Sequence, residues 1–253
     1  MDDTKLAFGV EPSPWRYRLR LARYQSLAEK VAKVARDAKS SGRTQLNLLD
    51  IGVGNGRTFR YLEPHADLTD RIRFVGLDNN PERRLAHVHG GDRWTLVHGD
   101  AEQKLPFDPH AFDVVIAEQI LEHLHTPEAT LTEMARVLRP GGTLIVGVPI
   151  FPPGLHLIRQ HVAPRVQKLL GKKSDHVQTF TASSILRLIN QTGDLSVTDV
   201  AGFRMMSGGV IRFLENYRWW WRFNRAVGRA VPSLCVEVQI VATKAPAPVP
   251  LAA

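Results

Sequence analysis

Leu48-Leu49-Asp50-Ile51-Gly52-Val53-Gly54-Asn55-Gly56 is the stretch on which the reading of this chain turns. A short apolar run ends in a carboxylate, and three glycines follow at alternate positions. A strand therefore passes into a turn whose backbone can come very close to a ligand. A dinucleotide fingerprint would read G-x-G-x-x-G, with a pyrophosphate resting on the helix N-terminus behind it. Here Arg57 stands where that last glycine would be. A carboxylate at Asp50 suits an amino-acid ammonium and not a pyrophosphate, so the ligand implied carries a positive end.

Outward from this turn, short apolar runs alternate with helical stretches. Strands are expected at Leu46 to Ile51, Ile72 to Leu77, Trp94 to His98, Phe112 to Ala117 and Thr143 to Val148. Helices fit Arg57 to Leu62, Pro81 to His89 and Thr126 to Leu138, the last closed by Arg139-Pro140-Gly141-Gly142, which cannot continue a helix. The strands are apolar on both faces, as in a parallel sheet covered by helices on each side, so the fold class is α/β. An amphipathic helix with Leu27, Val31, Val34, Ala35 and Ala38 at helical spacing precedes the alternation, from Pro14 to Lys39. A helix at Ala182 to Gln191 and strands at Leu195 to Val200 and Cys235 to Thr243 follow it. The organisation expected is an N-terminal helix over 1–44, a ligand-binding core over 45–149, a lid-like insertion over 150–180, and the rest of the core over 181–244. An aromatic-basic insertion over 203–232 interrupts that last part, and a flexible proline-rich tail covers 245–253.

With 43% hydrophobic and 23% charged residues among 253, the composition is globular and excludes long disorder. Cys235 is the only cysteine, so neither an intramolecular disulfide nor a cysteine-cluster metal site can form. That fits a cytoplasmic protein, as does the lack of a leader-like start or a long apolar run. A net charge of +8 raises the odds of an anionic partner: a lipid surface, an RNA or a phosphorylated substrate.

On Asp50-x-Gly52-x-Gly54-x-Gly56 the chain resembles the class I S-adenosylmethionine-dependent methyltransferases, and four further motifs carry the resemblance from Leu46 to Val148. They are Phe74-Val75-Gly76-Leu77-Asp78-Asn79, His98-Gly99-Asp100-Ala101, Phe112 to Glu118 with Leu121-Glu122-His123-Leu124, and Arg136-Val137-Leu138-Arg139-Pro140-Gly141-Gly142. The last two look like the branch that holds quinone-biosynthesis and natural-product methyltransferases. The resemblance implies a Rossmann-like, seven-stranded, mostly parallel sheet with helices on both faces and an antiparallel last strand. It implies S-adenosylmethionine as cofactor and S-adenosylhomocysteine as product. The cofactor would be bound by Asp50, Gly52, Gly54, Gly56, Asp78, Asn79, Asp100, Ala101 and Glu118. Asp78 would take the ribose hydroxyls, since a carboxylate has two oxygens spaced for a vicinal diol. Asp100 and Ala101 would take the adenine.

The acceptor implied is a small or lipid-like molecule methylated on O, N or C, with His123 or His176 as the candidate base. No metal is expected. Glu118, Glu122, His123 and His176 imitate the metal set of the small-RNA 2'-O-methyltransferases, but with glutamates four apart in place of three. An RNA 2'-O-methyltransferase and a non-catalytic S-adenosylmethionine-binding protein are the alternative functions, and nucleic acid is the less favoured partner. The stretch Tyr217-Arg218-Trp219-Trp220-Trp221-Arg222-Phe223-Asn224-Arg225 would cap the acceptor pocket or pack a dimer, touch an anionic membrane, or stack on RNA. Three consecutive tryptophans cannot share one helical face. The sequence leaves the oligomeric state open.

Overall fold

The computed structural model describes residues 19, 22–54, 56–62, 70–79, 94–151, 177–205 and 209–246. Seven strands form one sheet: β1 (Leu46–Ile51), β2 (Ile72–Asp78), β3 (Trp94–His98), β4 (Phe112–Glu118), β5 (Leu138–Pro149), β6 (Leu195–Phe203) and β7 (Glu237–Lys244). Their order is β3-β2-β1-β4-β5-β7-β6. The first five pair in parallel, and β7 runs antiparallel to both of its neighbours. The strand order reverses between β1 and β4, which opens a crevice beyond their carboxyl ends where open α/β sheets bind ligands.

Side chains alternate across each strand, so each face needs its own cover. On one face Leu48, Phe74, Val114, Ile116 and Ile145 meet Leu27, Val31 and Ala35 of α1 (Ala22–Ser40) and Phe59 of α2 (Arg57–Leu62). On the other, Leu49, Ile51, Val115, Ala117 and Val146 meet Leu131 and Met134 of α3 (Pro127–Val137) and Ile185 and Ile189 of α4 (Ala182–Asn190). Both layers are buried, which is why the strands read as unbroken apolar runs.

Helix ends follow local chemistry. Gly42, at φ +82°, stops α1: its N–H donates to the Lys39 carbonyl and that of Arg43 to Ala38, the paired closing bonds that a left-handed residue permits. The Thr181 hydroxyl accepts from Ser184 N and Ser184 Oγ accepts from Thr181 N, a reciprocal box that starts α4.

Some boundaries differ from the sequence reading. Arg139 to Gly142 are a bulge inside β5 and not a turn ahead of it: Phe112 faces Leu138 while Val114 faces Thr143. The buried Asp113 holds that bulge, pairing with Arg139 and with Arg43 at 2.7 Å and accepting from Asn47 N at 2.7 Å. β6 runs on to Phe203, and β7 begins at Glu237, leaving Cys235 in the turn before it. The expected helix at Pro81 to His89, most of the 150–180 insertion, the start of the N-terminal segment and the end of the tail lie outside the described residues.

The aromatic-basic segment forms helix α5 (Arg218–Ala230), clamped to β6. A methyl group on Gly228 would overlap the Gly202 carbonyl oxygen, and one on Gly202 would meet Cys235 Sγ at 2.6 Å and Pro232 Cα at 2.8 Å. Helix propensity alone makes Gly228→Ala stabilising by about 1 kcal/mol. We expect the opposite sign, a loss of about 1–3 kcal/mol from forcing helix and strand apart. Urea unfolding of the two proteins decides between the effects.

Candidate functional site

The crevice at the strand-order reversal is a cleft of about 590 Å³ lined by Gly52, Leu77, Asp78, Asn79, Gly99, Asp100, Ala101, Glu102, Gln119, Ile120, His123 and Leu124. Its floor is the glycine turn. Gly52, Gly54 and Gly56 have φ of 71°, 52° and 63°, a region that side chains disfavour, and a Cβ on Gly52 would strike Ile120 Cδ1 at 2.6 Å. The turn is tied to the end of β2: Gly52 and Val53 donate to the Leu77 carbonyl at 2.8 and 3.2 Å, and Gly54 N donates to Asp78 Oδ2 at 3.0 Å. Asp78 therefore holds the turn while also lining the cleft.

The far wall follows β3. Asp100 Oδ1 accepts from Glu102 N at 2.9 Å, and the Ala101 carbonyl accepts from Thr130 Oγ1 on α3. Glu102 Oε1 accepts from His125 N at 2.6 Å and from Thr126 N at 2.9 Å. Those bonds, that of Thr126 foremost, hold its carboxyl below the usual range. The near wall is the end of β4 and the short turn beyond it. Gln119 adopts φ +57° and donates to the Gly147 carbonyl, and Leu121–His123 form a single 3-10 turn. Glu122 and His123 thus precede α3 as their own element, with His123 facing the cleft.

The buried Glu122 carbonyl accepts from both Val177 N and Gln178 N at 2.9 Å. Phe151 N donates to the Phe180 carbonyl at 3.0 Å, and Ile150 bridges Phe180. Residues 150–151 and 177–180, on either side of the undescribed stretch, are thus tied together and to the cleft wall. His176 lies outside the described residues, as does Asn55 in the glycine turn.

Of the residues singled out from sequence, Gly52, Asp78, Asn79, Asp100, Ala101 and His123 line one cleft. Asp50 lies buried at the end of β1. Burial pushes its carboxyl up to about 7, with Glu118 and Asp78 adding to the rise and a hydrogen bond from Thr58 opposing it. Glu118 is placed elsewhere. Its carboxylate lies across the bare Cα of Gly147, accepts from Gln239 Nε2 and faces Arg23 Nε at 3.7 Å, on the α1 side of the sheet. Burial raises it, and Arg23 and Gln239 oppose that rise. Burial raises Glu122 as well. Among the described residues no group of three or more His, Cys, Asp or Glu could hold a metal ion. Sequence reasoning missed Glu102, Gln119, Ile120 and Leu124. The adjacency of Glu102 to Asp100-Ala101 was the available signal, whereas Ile120 is marked only by its contact with Gly52.

The lining carries three carboxylates and no lysine or arginine among the described residues, in a chain of net charge +8. Such a cleft repels polyanions and favours a cation with hydroxyl or amino donors.

Residues 49–146 match the family model for a methyltransferase domain. The chain is 33% identical over 148 residues to a demethylmenaquinone methyltransferase of Clavibacter sepedonicus, covering 54% of this chain and 57% of that protein. It is 35% identical over 104 residues to a ubiquinone biosynthesis O-methyltransferase of Maricaulis maris, covering 40% and 39%. The chain thus spans about half the length of these curated relatives. Among solved structures, a chain of the complex between the Haloferax volcanii Trm112 methyltransferase activator and a putative methyltransferase superposes with a TM-score of 0.56 at 21% identity, covering 91% of this chain and 99% of that one. That likeness is one of fold.

The raised carboxyl of Asp50 has a testable sign. Folded, it keeps its proton up to about pH 7, whereas unfolded it releases it near its ordinary 3.8. Between those values the folded state binds more protons, so raising the pH through that window costs stability. Asp50→Asn removes this contribution. Thermal melts should show the variant gaining on the natural protein as pH rises from about 4.5, inside the window, to about 7.5, just past its upper limit. A constant difference between the two proteins would refute the assignment.

Proposed function

With the match of residues 49–146 to a methyltransferase domain as the premise, we propose that this chain is a class I S-adenosylmethionine-dependent enzyme that methylates an oxygen, nitrogen or carbon atom of a small, lipophilic acceptor. S-adenosylhomocysteine is then the second product. The single observation that carries the reading is the carboxylate-lined cleft built on a glycine turn at the strand-order reversal. Its donor set fits the cofactor. Asp78 at the end of β2 would take the ribose hydroxyls, beside Asn79. Asp100 and Ala101 after β3 would take the adenine, and Asp50 beneath the turn would attract the ammonium of the amino-acid end. The bare Cα of Gly52 lets Ile120 pack against the turn, and the positive φ of Gly52, Gly54 and Gly56 keeps side chains off the backbone that the cofactor would lie against.

When bound, S-adenosylmethionine supplies a methyl group already activated by its sulfonium. The chain's own residues then need to align the acceptor, exclude water and, where the acceptor carries a proton, receive it. His123 lines the cleft and is the candidate for that receipt, with His176 beyond the described residues as the other. The Glu122 carbonyl supports this part of the site by holding the returning end of the 150–180 insertion. One relative is named for demethylmenaquinone and another for ubiquinone biosynthesis, and we extend that class to this chain: a ring bearing a nucleophilic oxygen or carbon, on an apolar tail. An acceptor of this kind resides in lipid, so peripheral contact with an anionic membrane through residues 203–232 belongs to the same reading. The acidic cleft speaks against an RNA acceptor.

Calorimetry should show binding of S-adenosylmethionine and S-adenosylhomocysteine and none of NAD. Asp78→Ala should weaken S-adenosylhomocysteine binding by about 3 kcal/mol, the value of its charge-assisted hydrogen bonds. Asp78→Asn, which keeps an acceptor for Gly54 N, separates loss of the ribose contact from loosening of the turn. Unchanged affinity in both variants would sink the ribose assignment. Turnover with a quinol acceptor should persist in EDTA, and loss reversed by magnesium or manganese would favour the metal-dependent reading through Glu122, His123 and His176.

A further inference from the structure

Helix α5 carries an aromatic face that the fold leaves uncovered. Trp220 is 6% exposed and Asn224 is buried against the body of the protein, whereas Trp219 is 56% and Phe223 43% exposed. Trp219 and Phe223 are four residues apart, so they share one stripe of the helix, with the exposed Arg222 and Ala226 beside them. Phe213 and Tyr217, 60% and 52% exposed, continue the aromatic surface back through the 3-10 helix Gly209–Asn216. The rings brace one another: Trp219 meets Trp220 edge-on at 5.5 Å, and Trp220 stacks on Phe223 at 5.4 Å. Arg222 and Arg229 are exposed, and no aspartate or glutamate occurs between residues 216 and 236.

Place matters as much as composition. β6 ends at Phe203 and β7 begins at Glu237, and both residues pair with each other at the edge of the sheet where β5 ends in Pro149. β1 and β2 finish at that same edge, beside the cleft. The aromatic helix therefore joins strands that end at the cleft edge of the sheet, where an acceptor would enter on the proposed function. The strand order sets it four strands from β1, about 20 Å at ordinary strand spacing.

We propose that the exposed face of α5 docks on an anionic lipid bilayer and brings the cleft edge of the sheet against it. The proposal rests on the lipophilic-acceptor reading above and narrows its membrane contact from residues 203–232 to the outer face of one helix. Indole and phenol rings with interspersed arginines match the headgroup region, where amphipathic rings settle and anionic lipids hold the cations. A second copy of the chain matches poorly, because a two-fold contact would set arginine against arginine. Single-stranded nucleic acid uses a basic groove flanked by stacking rings, and this face is one convex helix.

The test uses the full chain in two measurements. Sedimentation with vesicles of phosphatidylcholine mixed with phosphatidylglycerol should retain the natural protein, and pure phosphatidylcholine should retain far less. Arg222→Gln with Arg229→Gln should lower the partition coefficient about thirtyfold, two basic contacts' worth. Trp219→Ser with Phe223→Ser should lower it at least as much. Calorimetry with S-adenosylhomocysteine, whose cleft none of these residues lines, should be unchanged in both variants and shows that they are folded. Equal retention of all three proteins, displacement by single-stranded RNA in preference to vesicles, or a dimer that the aromatic variant splits would each overturn the docking face. Vesicle binding without S-adenosylhomocysteine binding would leave the face standing and defeat the methyltransferase reading instead.

Discussion

A carboxylate buried without a matching cation is expensive, and Asp50 is one: it lies under the glycine turn with a Thr58 hydroxyl for company and with Glu118 and Asp78 nearby. The rest of the site is arranged around that constraint. The turn cannot move away, because Gly52 and Val53 are bonded to Leu77 and Gly54 to Asp78. In the free protein, burial shifts Asp50 toward its protonated form. On the proposed function, the ammonium of the cofactor's amino-acid end would offset that charge in place of the proton.

A second set of buried charges does mechanical work on the α1 face. Arg23 donates to Glu237 at 2.9 Å, Arg204 donates to the same carboxylate at 2.8 Å, and Lys30 reaches Gln239 at 3.0 Å and Asp199 at 3.2 Å. Gln239 in turn bonds Glu118 and the Arg23 carbonyl. This stripe runs from β4 across β7 to β6 and fixes α1 over the joint where the antiparallel strand enters. Gly147 lets it pass, since any side chain there would collide with Glu118. Pairs buried in this way add little over apolar packing when intact, yet removing one partner strands the other in a dry interior at a cost of about 3–5 kcal/mol. The stripe therefore adds little net stability yet tolerates no single deletion.

The sequence made legible whatever depends on local pattern. The glycine turn, the strands with both faces apolar and the carboxylates at the ends of β2 and β3 all follow from residue order, and the cleft assembles at those positions. The features that escaped depend on the third dimension. Glu118 follows its strand in the expected place, but strand alternation turns its side chain to the face of Val114 and Ile116, where Arg23 waits from 95 positions earlier. The bulge at Arg139 to Gly142 reads as a turn because its glycines and proline are turn residues. Only the pairing of Phe112 and Val114 shows that the strand continues through it. Gly202 and Gly228 carried no signal at all until a helix and a strand were seen to touch through them.

That last contact links packing to function. A helix held by ordinary side chains stands several ångströms off its sheet and can shift by small repackings. α5 instead meets β6 backbone to backbone, so Trp220 and Asn224 are driven into the body and the neighbouring Trp219 and Phe223 are forced outward by the helical repeat. Neighbouring tryptophans thus take opposite roles for one reason, the hundred-degree step between successive residues of a helix. The rigid seating fixes the direction in which the outer rings face relative to the edge where β1, β2 and β5 end. On the proposed docking, this clamp would set the angle between the bilayer and the cleft.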